Sequence, residues 1–101
     1  MPVASRLQAY TKERLTIDAT AGGIALTPSK YLTAPPARCA DFTVENAQIR
    51  YETDGTAPTS TTGRVANPTD YISLNNPSEL ENFRAIRTGA TSGVVEVRYY
   101  R

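Results

Sequence analysis

Histidine and tryptophan are absent from this chain of 101 residues, and cysteine and methionine occur once each. Each absence closes off some chemistry. Without histidine the chain lacks the commonest protein metal ligand and the usual general base near neutral pH. A single cysteine, Cys39, excludes an internal disulfide and a cysteine-based zinc cluster. A charge excess is missing too. Eleven basic residues face ten acidic ones, a formal net charge of +1, so nothing marks the chain for nucleic acid or an anionic membrane surface. No apolar run approaches the ~18 residues of a membrane span. The first residues, MPVASRLQAYTKERL, hold no signal-peptide apolar core, and a lone cysteine suits a reducing compartment, so synthesis in a cytoplasm is expected.

What is abundant points to strands. Fourteen threonines, six serines, seven prolines and six glycines stand against two lysines and two glutamines. Threonine, tyrosine, valine and isoleucine suit a pleated, half-buried surface, while glycine, proline and asparagine punctuate turns. Residues 1–12 lack a clean period and read as an N-terminal arm or an edge strand. From residue 13 to 101 a single domain is expected, by length and by the absence of an internal boundary. Period-2 alternation runs through Glu13–Asp18, Cys39–Glu45, Gln48–Thr53 and Tyr71–Leu74. Shorter pieces lie at Ile24–Leu26 and Arg64–Val65. Asn46-Ala47 reads as a turn between two strands. Phe83–Thr88 and Val94–Tyr100, joined by Gly-Ala-Thr-Ser-Gly, read as a hairpin. Ser78-x-x-Glu81 reads as a capping box for one helical turn. The proline-bearing segment 27–38 reads as a surface connection or edge. About seven or eight short strands at this spacing predict an all-β fold, a small antiparallel β-sandwich or a jelly-roll-like barrel. Its expected core is Leu15, Ile17, Phe42, Val44, Ile49, Tyr51, Ile72, Leu74, Ile86, Val95 and Val97.

Candidate chemistry is thin. Asp54 and Asp70 stand alone, whereas calcium takes roughly six to eight oxygens, usually with several carboxylates. DGTAPTSTTG therefore reads as a loop closed by its own aspartate. The glycine-rich pieces lack a phosphate-loop lysine and a following helix. Cys39 and the serines have no histidine to activate them, and Ser29 and Lys30 are adjacent, which on a strand puts them on opposite faces. Glu45 and Glu52 flank the expected hairpin as an acid and base pair would, yet similar pairs decorate most sheets. No catalytic residue, metal or cofactor is expected.

Arginine and tyrosine are the informative residues. Nine of the eleven cations are arginine, and there are six tyrosines against two phenylalanines. Arginine favours bidentate pairing at interfaces, and tyrosine works where a contact is partly wet. A high-GC coding bias toward arginine accounts for the first count nearly as well. As an alternative, Tyr31, Tyr71, Tyr99 and Tyr100 would serve a sugar-binding module, although tryptophan is missing.

From Phe42 onward the chain carries FTVENAQIRYETDGTAPTSTTG, a short strand, and then ENFRAIRTGATSGVVEVRYYR. This pattern resembles small virion proteins of tailed bacteriophages, in which a strand leads into I-R-Y-x-x-D-G-T-x-P-T, a glycine follows, and the chain closes with F-x-x-I-R-x-G, a variable turn and V-x-Y-Y. The first 37 residues show no such match. A similar Y-x-x-D-G-T-x-P-T hairpin occurs in small β-domains appended to bacterial glycosidases. The resemblance implies a non-enzymatic β-sandwich located in the virion. The expected function is a capsid decoration (cement) protein that binds the major capsid protein or other virion proteins in many copies, with no nucleic acid and no membrane as partner. A tail or head–tail connector component is one alternative, and a carbohydrate-binding or glycosidase-accessory module is another. Expected partner contacts are Arg6, Tyr10, Tyr31, Arg38, Asp54, Thr56, Arg64 and Arg101.

Overall fold

The structure, a computed structural model, describes residues 7–101. Seven strands run in the order β1 (Ala9–Ile17), β2 (Cys39–Glu45), β3 (Ile49–Glu52), β4 (Arg64–Ala66), β5 (Tyr71–Leu74), β6 (Arg84–Arg87) and β7 (Gly93–Tyr100). Two short helices, α1 (Pro28–Leu32) and α2 (Pro77–Asn82), interrupt them. All strand pairs are antiparallel. One sheet has the order β1-β7-β2-β5 and the other β4-β3-β6. Among the described residues no strand is shared by both sheets, so the fold is a two-layer sandwich and not a closed barrel.

Alternation decides the layers. On β7, Val95, Val97 and Tyr99 are buried, while Glu96, Arg98 and Tyr100 face outward. On β2 the buried set is Ala40, Phe42 and Val44. From the second sheet Ile49 and Tyr51 point back at them. Phe42 meets Tyr51 edge-on at 5.7 Å between centroids and Phe83 at 5.4 Å, with Tyr51 and Phe83 stacked at 6.0 Å. Each such buried side chain contributes about 1.5–3 kcal/mol by leaving water.

Both expected hairpins are crossings between sheets. β2 and β3 belong to different layers, and so do β6 and β7. At the first crossing Asn46 takes a left-handed φ of 76° and the Ala47 N–H donates to the Glu45 carbonyl at 2.9 Å. One left-handed residue turns the chain out of the sheet, whereas a two-residue hairpin of the favoured type needs two. The Asn46 side chain donates to the Ser92 carbonyl at 2.8 Å, clasping the two crossings together. Gly93 is required there: a Cβ on it would lie 2.4 Å from Ile49 Cγ2 and 2.8 Å from the Ala47 carbonyl.

Other expectations shift in detail. Of the expected arm or edge strand at 1–12, residues 1–6 lie outside the described residues, and the rest leads into β1, an edge strand that runs unbroken through Lys12 and Glu13 across the boundary drawn at 13. A register shift between Ala9 and Thr11 hides the period there. Ile86 is half-buried, and Ala85 takes the core position, because Phe83 at the end of α2 sets the inward phase of β6. Leu15 and Ile72 pack only partly against the core. The capping box lies two residues earlier than expected. Asn76 caps α2 by accepting from the Glu79 N–H at 3.0 Å, and the Glu79 carboxylate accepts from the Asn75 N–H. Pro77 fits this frame, since its fixed φ suits the first helical position. Segment 27–38 is more than a surface connection: it contains α1 and buries Tyr31 and Ala37.

Candidate functional site

The expected partner contacts do not gather into one place. Arg6 lies outside the described residues. Tyr31 is a core residue, stacked 6.4 Å from Tyr99, and is therefore removed from any contact surface. Its neighbour Lys30 is drawn in by the Tyr10 hydroxyl, which donates to the Lys30 carbonyl at 2.7 Å. Arg101 lies over the Tyr10 ring, 4.0 Å from its centroid, and donates to the Pro35 carbonyl at 3.2 Å. Arg38 is exposed beside this group, and its N–H donates to the Tyr100 carbonyl. Asp54, Thr56 and Arg64 belong instead to β4 of the other sheet and the loop before it. There the Asp54 carboxylate accepts from the Thr56 N–H at 3.0 Å and its hydroxyl at 2.6 Å, which holds the Asp54 carboxyl below its ordinary range. Asp18 closes the turn after β1 with Thr20 in the same way and with the same effect.

A denser cluster sits on the outer face of the four-stranded sheet. Register places Lys12, Arg98, Asp41 and Ser73 side by side in one row across β1, β7, β2 and β5. Tyr71 and Tyr100 lean in from the rows on either side, and both donate to Asp41 Oδ2, at 2.9 Å and 2.7 Å. The bonds to Asp41 push both phenols above their ordinary pKa. Two shallow cavities of about 260 and 240 Å³ flank the Tyr–Asp–Tyr bridge. Tyr71 is 62% exposed, the most open large apolar side chain among the described residues. One row along, Arg14 pairs with Glu45 at 3.1 Å and Glu96 at 2.8 Å.

No nucleophile with a base emerges from this geometry. Cys39, beside the cluster, is half-buried, and burial together with Asp41 pushes its thiol pKa up. Among the described residues no group of three histidine, cysteine, aspartate or glutamate side chains is placed to hold a metal ion.

Sequence reasoning named Tyr71 and Tyr100 as possible sugar contacts but passed over Asp41, Lys12 and Arg98. Tyr99, named with them, is fully buried and faces the core. The signal for the outward face was present in the alternation of β2, β5 and β7. The strand order that joins those faces was not, because adjacent strands here come from distant parts of the chain.

Comparison with family models, with curated proteins and with solved structures gives no match.

Proposed function

We propose that this chain is a non-enzymatic structural protein of a tailed-bacteriophage virion, acting as a decoration protein on the outer capsid lattice. The observation that carries the reading is the motif running from Phe42 to the end of β7. Its parts support a rigid module. The D-G-T turn is closed by its own aspartate. Gly63 packs where a Cβ would lie 3.1 Å from Pro58. The I-R-x-G segment leads into the braced crossing at Gly93, and V-R-Y-Y forms a central strand.

The chemistry agrees with binding rather than turnover. Outward-facing side chains carry both signs of charge, as an interface that must not attract nucleic acid requires. Repeated contacts of roughly standard size, about 1,600 Å² each, reinforce a lattice through multivalency with no reaction.

The test is to locate the chain in intact particles by mass spectrometry and electron cryomicroscopy. The reading expects many copies on the outer shell. Confinement to the tail or the connector moves it to another virion component. Absence from particles, with retention on an insoluble polysaccharide, replaces it with a carbohydrate-binding module.

A further inference from the structure

We propose that the outer face of the four-stranded sheet carries a binding site for one ring of an acidic saccharide, centred on Asp41. The site stands on its own observations and does not depend on where the chain resides. Saccharide recognition asks for an exposed aromatic ring against the C–H face of the sugar and fixed acceptors and donors for its hydroxyls. Tyr71 offers the ring. It is largely open to solvent, yet its hydroxyl is tethered to Asp41, so the ring is held in place before anything binds. Asp41 offers the acceptor. Its Oδ2 takes both tyrosine hydroxyls, while Oδ1 accepts no hydrogen bond among the described residues.

Charge selects the kind of sugar. Asp41 lies opposite Arg98 in the register, and the next carboxylates along the face, Glu96 and Glu45, are already engaged by Arg14. Lys12 and Arg98 enter no ion pair among the described residues, and they lie next to each other in the register. A carboxylate at one corner of the sugar would meet this pair while the ring hydroxyls meet Asp41. A phosphodiester chain fits less well, because Asp41 sits in the middle of its track. A partner strand would seek a sheet edge, whereas this row spans the face. The cavity of about 260 Å³ that Lys12, Arg98, Asp41 and Tyr71 line suits a single ring and not a larger ligand.

The experiment is a titration of the full chain, observed by amide nuclear magnetic resonance, with trigalacturonate, maltotriose and adenosine monophosphate in parallel. Trigalacturonate should shift amides of β2, β5 and β7 around Asp41, and the other two probes should not. Tyr71→Ala and Arg98→Gln, both at exposed positions, should each weaken binding about tenfold, roughly 1.4 kcal/mol, while keeping the parent spectrum elsewhere. Asp41→Asn should do the same with the shape retained. No localised shift with trigalacturonate, equal shifts with either other probe, or unchanged affinity in folded Tyr71→Ala overturns the proposal.

Discussion

Tyr99 and Tyr100 are consecutive residues of one strand, and each donates its hydroxyl to a carboxylate. Tyr99 points inward, stacks on Tyr31 and bonds Glu13, which also accepts from the Thr27 N–H and hydroxyl. Tyr100 points outward and bonds Asp41 beneath open solvent. Burial and the Glu13 bond raise the Tyr99 pKa far more than the Asp41 bond raises that of Tyr100. The same pair of functional groups thus closes the core on one face of β7 and forms a presented surface on the other. A tyrosine–carboxylate contact acquires its meaning from the side of the sheet on which it falls.

The comparison breaks most visibly from the inside. Phe42→Ala, at the centre of the inner layer, should lose about 3–5 kcal/mol in denaturant unfolding. Gly93→Ala drives a methyl group into Ile49 and the Ala47 carbonyl, and should lose about 1–3 kcal/mol by the same measurement. Tyr99→Phe removes one bond from a carboxylate that keeps its two Thr27 bonds, so a loss near 1.5 kcal/mol is expected. Its pH dependence is diagnostic. A phenol whose folded pKa is raised contributes stability that is fully present below pH 10 and lost as pH rises beyond it. The parent should therefore lose stability above pH 10 more steeply than Tyr99→Phe.

Outer-face changes should be smaller. Tyr100→Phe should alter unfolding by no more than about 0.5 kcal/mol. A loss there equal to that of Tyr99→Phe would erase the distinction drawn between the two faces. Smallest of all is Asp54→Asn in the exposed D-G-T turn. A depressed carboxyl contributes above its ordinary pKa of 3.8 and ceases to as pH falls below it, so the melting temperatures of parent and variant should converge in acid.

Much of the inner face was legible in the sequence, since alternation alone marks Phe42, Val44, Val95 and Val97. Tyr99 was misread because an aromatic near the end of the chain looks available until Tyr31 and Glu13, far away in sequence, are folded over it. Both sheet crossings were misread for a related reason. A short polar turn between two strands looks the same whether the strands pair or part, and a contact such as Gly93 against Ile49 decides which. Asp41 escaped notice since its partners, Tyr71 and Tyr100, come from strands that meet only in three dimensions.

β7 is the last strand in chain order, yet β1 and β2 both depend on it and do not pair with each other. The Glu13–Tyr99 bond spans 86 residues. During synthesis on a ribosome, β1 has no strand partner until residues 93–100 have emerged, and pairing so distant in sequence carries a large loop-closure cost. A nine-residue strand waiting in the open is an aggregation hazard. Lys12 and Arg14 stand exposed on this edge strand, and charged side chains on an edge are a common guard against edge-to-edge pairing.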